Sequence, residues 1–192
     1  MAERFSAKWD FRFLDMAKLV STWSRDPSTK CGAVIVRPDK TVASVGFNGF
    51  PKGCDDDPAI YADREQKYSR VVHAEQNALL HAGESVKGYT MYTYPPGFGP
   101  SCDRCSAHII QAGISRVIYF KDESDFASRW RQPAEAGLKM YGEASVSVLH
   151  YDIIEADDDP TEILDLPTSI IHRNPVSEQV QETPVWHGGL KD

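Results

Sequence analysis

The chain has 192 residues, of which 41% are hydrophobic, and a net charge of −7; this suits one domain with a segment to spare and enough apolar side chains for a core. The charge is uneven: residues 152–192 hold ten Asp/Glu against two Lys/Arg, a net of −8, which leaves +1 for residues 1–151. A near-neutral body disfavours nucleic acid as a partner and favours a small molecule, and no apolar run approaches the length of a membrane span.

Residues 9–24 carry Phe13, Met16, Ala17, Val20 and Trp23 at helical spacing, which predicts an amphipathic helix. "RDPSTK" stops it, because Pro27 cannot continue a helix. "CGAVIVR" and "TVASVGF" flank the turn signal "PDK" and predict a hairpin. "NGFPKGCDDDP" is too rich in Gly, Pro and Asp to be regular. Then come a helix ("HAEQNALLHAG", ended by Gly83), a strand ("GYTMYTY") and a helix ("CSAHIIQAG"). A strand ("SRVIYF"), a helix ("PAEAGLKMYGE", with Pro133 in its first turn) and a strand ("ASVSVLHY") complete the series. Strands alternating with helices predict a three-layer α/β/α domain around a mixed sheet of about five strands. The domain is expected to span residues 1–151. Residues 152–192 read as an acidic, proline-punctuated tail. Its Ile163, Leu164, Leu166, Ile170, Ile171 and Trp186 could dock on the domain or on a neighbour.

The charged N-terminus "MAERFSAKWD" lacks the apolar core of a secretion signal. Four cysteines, two of them close together, fit a reducing cytosol, so a cytoplasmic protein is expected. Cys102 and Cys105 stand at a predicted helix start, three apart, so both side chains can reach one spot. The helix dipole there favours thiolates. The pair alone fits a redox dithiol, half of a structural zinc site, or part of a catalytic one. His73 opens another helix; alone it reads as a cap or a surface residue. In an α/β sheet both helix starts lie at the carboxyl edge, where ligand sites gather. His73 and two thiolates would give zinc three protein ligands and leave the fourth position for water. Glu75, alone a dipole-compensating surface charge, can face the same pocket and move a proton. The joint pattern, H-x-E then C-x-x-C, is much more specific than its parts.

With that pattern in view, the segments "SRDPSTKCGAVIV", "GFNGFPKGCDDD", "VVHAEQNALL", "VKGYTMY" and "CDRCSAHIIQAGISRVIYF" resemble the zinc-dependent nucleotide deaminases. More narrowly they are similar to deoxycytidylate (dCMP) deaminases, over most of residues 9–121. Cytidine deaminases usually carry cysteine where His73 stands. The resemblance implies a cytidine-deaminase-like fold and one Zn2+ on His73, Cys102 and Cys105. Glu75 would be the proton shuttle, and the reaction dCMP to dUMP plus ammonia, which supplies thymidylate synthesis. It further implies Asn48 at the sugar or base, Ser24, Arg25 and the turn to Lys30 near the phosphate, and Ala74 as a further substrate-binding residue. Read without it, Arg25 and Lys30 are a solvated turn and Asn48 a turn residue before Gly49. Phe50, Pro51, Gly53, Cys54 and Asp55 match a loop near the subunit interface and effector site of relatives. That implies a homo-oligomer (dimer, tetramer or hexamer) and the effectors dCTP and dTTP with Mg2+.

Two departures fall near the pocket. Ser101, not proline, precedes Cys102, and the connection from the strand is about four residues longer than in relatives. The stretch "FKDESDF" lacks the tyrosine relatives often have there. Phe126 or Trp130 would replace it, or are ordinary packing aromatics. Rival substrates are therefore dCTP, a modified cytosine nucleotide, a nucleoside or an RNA base; a rival class is a non-enzymatic zinc module. Cys31 reads as a buried, inert thiol, and Cys54 as a weak candidate for a second zinc. His81, His108, His150, His172 and His187 lack ligand spacing.

Overall fold

The computed structural model describes residues 2–152 and, beyond them, 154–155, 169–170 and 173–174. The elements run α1 (Ala2–Ser21), β1 (Gly32–Val36), β2 (Val42–Phe47), α2 (Pro58–Ala62), α3 (Arg64–Arg70), α4 (Ala74–Leu80) and β3 (Thr90–Gly97). They continue with α5 (Asp103–Gln111), β4 (Arg116–Lys121), α6 (Asp125–Ser128), α7 (Arg131–Glu143) and β5 (Ser147–Asp152). Three two-residue strands follow: β6 (Ile154–Glu155), β7 (Ser169–Ile170) and β8 (Arg173–Asn174). The sheet order is β2-β1-β3-β4-β5-β8. β1 is antiparallel to β2 and β3, while β3, β4 and β5 are parallel. The expected mixed sheet of five strands is present, with β8 added antiparallel to β5 at its edge.

α1 covers one face of this sheet, and α4, α5 and α7 cover the other. The strands alternate between the two cores. Ala33 and Ile35 join the α4–α5 side, and Val34 and Val36 the α1 side. Met91 and Tyr92, and Val117 and Ile118, divide in the same way. Burial on both faces explains why "GAVIV" is apolar throughout. Phe13, Leu14, Ala17 and Val20 are the buried stripe of α1. Asp10 lies on that same face. It accepts hydrogen bonds from Tyr92 (2.7 Å) and Tyr151 (2.8 Å), with Arg116 3.5 Å away. These partners let a buried carboxylate pin α1 to three strands.

Several elements differ from expectation. α1 begins seven residues early, and Trp23 lies beyond its end, 51% exposed, edge-on to Phe47. α2 and α3 have little apolar periodicity; their caps make them. Asp57 accepts from Ala59 N with Pro58 at the first position, and Asp63 accepts from Glu65 N and Gln66 N. Of the tail residues singled out above, Ile163, Leu164, Leu166, Ile171 and Trp186 lie outside the described residues. So do His172, His187 and the Phe126 side chain. No described helix is long and apolar enough to cross a membrane.

One glycine sets the position of the functional end. A Cβ on Gly46 would overlap Ala74 O and Ala78 N. Only glycine lets α4 lie this close to β2, and α4 carries His73 and Glu75 at its start.

Candidate metal centre and adjoining cavity

His73 is the N-cap residue of α4, Cys102 the N-cap of α5, and Cys105 lies in the first turn of α5. His73 Nδ1 lies 3.5 Å from Cys102 Sγ and 3.3 Å from Cys105 Sγ. The three ligand atoms lie within 4.8 Å of one another. Zinc bonds of about 2.0 Å to nitrogen and 2.3 Å to sulfur, at tetrahedral angles, separate the donors by about 3.5 Å. The cluster therefore fits zinc in donor type and spacing. Gln76 links the start of α4 to the last turn of α5: its Oε1 accepts from His73 N (3.3 Å) and its Nε2 donates to His108 Nδ1 (3.2 Å).

The electrostatics favour the metal-binding thiolate at Cys102. The contact with Cys105 lowers the Cys102 thiol to about 4 against its burial, and His73 adds to the effect. The same contact, with burial, pushes the Cys105 thiol up. His73 is raised, first by its hydrogen bond to Cys102. Burial pushes the Glu75 carboxyl up, against the attraction of His73. A carboxyl in such a site can take a proton and give it back.

Cys102 is fixed from behind by a buried hydroxyl cluster. Ser101 Oγ lies 2.9 Å from Ser106 Oγ and 2.8 Å from Tyr141 Oη, and Ser106 Oγ donates to Cys102 O (2.9 Å). Gly137 leaves room for it, because a Cβ there would overlap Ser106 Oγ. The serine that departs from the family pattern is thus a hydrogen-bonded anchor. The extended connection is ordered at its other end as well. β3 runs through Gly97, which pairs with Lys121, and Tyr119 donates to Phe98 O (3.3 Å).

A cavity of about 180 Å³ lies beside His73, Glu75 and Cys102. Residues 94–100 form one wall; Asp26, Asn48 and Lys67 lie in the lining too. Outward it adjoins a larger mouth of about 690 Å³, with Lys67, Tyr68, His73, Cys102, Arg129 and Trp130 shared between the two. Asn48 is in place, but its amide is engaged: Nδ2 donates to Thr29 O (2.9 Å) and Oδ1 accepts from Cys31 N (2.7 Å). Ser24, Arg25 and Lys30 are not brought to the lining. Ser24 donates to Asn48 O (2.8 Å), Arg25 pairs with Asp56 (2.7 Å), and Lys30 donates to Ser24 O (2.7 Å). Ser24 and Lys30 brace the backbone behind Asn48, Arg25 stays on the surface, and Pro27, Ser28 and Thr29 of the same turn do reach the lining. Ala74 is buried and outside the lining.

The loop of Phe50, Pro51, Gly53, Cys54 and Asp55 also stands apart from both cavities. Phe50 stacks on Tyr61 at 4.1 Å, and Cys54 is exposed. Among the described residues His73, Cys102 and Cys105 are the one group able to hold a metal, so Cys54 has no partner set there. Cys31 does line the cavity, and burial pushes its thiol up. Sequence reasoning missed Lys67. It forms a buried pair with Asp26 at 2.7 Å, and it carries no signal in "REQKYSR" because its partner is 41 residues away. Burial alone would raise the Asp26 carboxyl, but Lys67 and the amides of Ser28 and Thr29 hold it below its ordinary value.

Residues 7–121 match the profile of the cytidine and deoxycytidylate deaminase zinc-binding region. An uncharacterized deaminase in the luxG 3' region of Aliivibrio fischeri is 43% identical over 152 residues, 78% of this chain and 99% of that one. The deoxycytidylate deaminase of Pongo abelii is 36% identical over 164 residues, 78% of this chain and 89% of its own. Among solved structures, the dCMP deaminase of cyanophage S-TIM5 in complex with dCMP and dUMP aligns with a TM-score of 0.53 and 25% identity. It covers 72% of this chain and 93% of that one. The match spans both halves of the metal motif and the strands between them, and this chain belongs to the cytidine and deoxycytidylate deaminase family.

Proposed function

We propose that this protein hydrolyses dCMP to dUMP and ammonia, with the catalytic unit in residues 1–151. One observation carries the reading: His73, Cys102 and Cys105 converge at two helix starts, and Glu75 shares their cavity without joining the cluster. In this reading the three residues would hold zinc. Bound there, zinc would lower the pKa of a water beside Glu75. Glu75 takes the proton and delivers it to N3 of the cytosine ring as C4 is attacked. Glu75 then takes the remaining proton from the oxygen added at C4 and passes it to the amine; the C4–N bond breaks, ammonia leaves, and the C4 carbonyl of uracil remains. The wall of residues 94–100 keeps bulk water from the ring. Asn48, held by Thr29 and Cys31, and the Asp26–Lys67 pair give the sugar a rigid flank. Ser24 and Lys30 serve that flank indirectly.

The same reading extends to regulation and assembly. The loop around Phe50, Pro51, Gly53, Cys54 and Asp55 lies outside the cavity, as a subunit contact or a dCTP/dTTP–Mg2+ site would require. Its likeness to the relatives' loop is what supports this.

The test is a substrate panel of dCMP, dCTP, deoxycytidine and a transfer-RNA stem-loop, followed by loss of cytosine absorbance. Turnover of dCMP ahead of the others is expected. No turnover of dCMP by zinc-loaded protein would overturn the proposal.

A further inference from the structure

Seven large hydrophobic side chains are exposed among the described residues. Tyr68 and Trp130 belong to the cavity. The other five gather round β2, the outermost strand of the sheet. Val42 and Phe47 are its two ends. Trp23 meets Phe47 edge-on, and Leu19, one helical turn before it, is 60% exposed. From the opposite face Asn77 donates to Phe47 O (2.8 Å), and Leu80, one turn further along α4, is 75% exposed. The apolar surface therefore runs from α1, across the edge of the sheet, to α4.

The backbone of β2 is open along the same line. Asn48 N donates to Cys31 O (3.3 Å), so in the β1–β2 register Gly46 and Ser44 turn their hydrogen-bonding groups to β1, and Val45 and Phe47 turn theirs outward. Phe47 O is taken by Asn77, and at the other end Val42 O by Arg37 (2.8 Å). No described strand lies outside β2 to receive the N–H and C=O of Val45. Edges of this kind are ordinarily blunted by charge, proline or a bulge. Val42–Phe47 has no charge and no proline, and its bulge lies beyond Ser44, which leaves Ser44–Phe47 regular. The opposite edge, at β5, is covered by β8.

Symmetry, charge and size name the occupant. Antiparallel pairing of β2 with itself is self-complementary: with Val45 opposite Val45 of the partner subunit, the two residues exchange both hydrogen bonds about a twofold axis. An uncharged strand also lets two chains of −7 meet without like charges in contact along it. A strand of this length spans about 20 Å, and a helix layer on either side makes this end of the domain about 30 Å tall, a footprint of roughly 600 Å² before side-chain relief is counted. Stable interfaces bury about 800 Å² per partner, so the patch is of the size a dimer needs.

We propose that β2 pairs antiparallel with β2 of a second copy, joining two sheets into one and covering Leu19, Trp23, Val42, Phe47 and Leu80. This deepens the assembly part of the proposed function by naming its surface, and it does not depend on the activity.

The test is sedimentation equilibrium of the full chain, with hydrogen exchange read at the Val45 amide. The wild type is expected to sediment as an even number of chains. Its Val45 amide should exchange roughly tenfold slower in concentrated than in highly diluted protein. Trp23→Glu and Leu80→Glu, both at exposed side chains, should each weaken the association about thirtyfold, and the double variant should halve the sedimenting mass. A wild type that sediments as a single chain would overturn the proposal; a protected Val45 amide in that single chain would assign the edge to another segment of the same chain. An assembly whose mass survives the double variant would overturn it as well, as would a Val45 amide that exchanges freely within assembled wild type. The exchange measurement needs no variant, so it decides even if the substitutions disturb folding. Neither measurement uses a substrate, so absence of dCMP turnover would remove the proposed activity and leave this result standing.

Discussion

The metal end and the substrate end of the cavity are built in different ways. The metal end draws its donors from two short segments, at the N-termini of two packed helices, and its ligands are at least half-buried. The substrate end draws its lining from β1's approach, α3, the connection after β3 and the α6–α7 junction, and much of it is exposed. The difference teaches where each property resides. The reaction depends on a few donors held at fixed spacing, so it is confined and rigid. Substrate choice depends on the shape and charge of a wide rim, so it is spread over the chain.

That contrast can be broken by substitution, beginning where the effect should be largest. Cys105→Ala should remove bound zinc and all turnover together; metal analysis beside an activity assay checks this, and retained zinc would show that the cluster is not the metal site. Glu75→Gln should keep zinc and lower turnover by roughly 10²–10⁴-fold, the usual worth of a positioned acid–base group. A variant with near-wild-type rate would remove Glu75 from the chemistry. Lys67→Met strands Asp26 in a buried setting and should destabilise the fold by about 3–5 kcal/mol in urea unfolding. Adding Asp26→Asn should restore part of that loss.

Asp26 also predicts an acid limb. Its native carboxyl titrates below the ordinary value of 3.8. The stability it contributes is full above that value and is lost as pH falls through the native one. Urea midpoints measured from pH 6 down to pH 2 should fall less steeply for Asp26→Asn than for the wild type. The smallest effect is expected from Tyr141→Phe, which deletes one hydrogen bond of the Ser101 cluster. The expected cost is about 1 kcal/mol, with activity kept within a few-fold. A collapse of zinc binding there would mean that the hydroxyl cluster sets the metal geometry and does not merely anchor it.

How much of this was legible in the sequence follows from distance along the chain. The H-x-E and C-x-x-C segments are local, so their spacing alone announced the donors, and the strand–helix alternation placed them at helix starts. The two-sided core was legible for the same reason, because "GAVIV" and "RVIYF" declare buried strands. Arg25 and Lys30 came from the resemblance alone, because a basic turn says nothing about the direction of its side chains. In the fold those side chains turn to Asp56 and to Ser24 O. Lys67 was invisible for the opposite reason: it sits on an ordinary charged helix, and only tertiary packing gives it Asp26 as a neighbour. α2 and α3 were missed because capping aspartates, not apolar periodicity, define them.

The connection after β3 has one more consequence. It is tied at its start by sheet pairing through Gly97 and at its end by Ser101 to Ser106 and Tyr141. Between the two ties, Phe98, Gly99 and Pro100 line the cavity. Residues can therefore be inserted or removed between those ties while Cys102 stays where it is. The segment behaves as an exchangeable panel in a fixed frame. A library that varies only its length and side chains would sample new pyrimidine preferences on an unaltered hydrolytic machine.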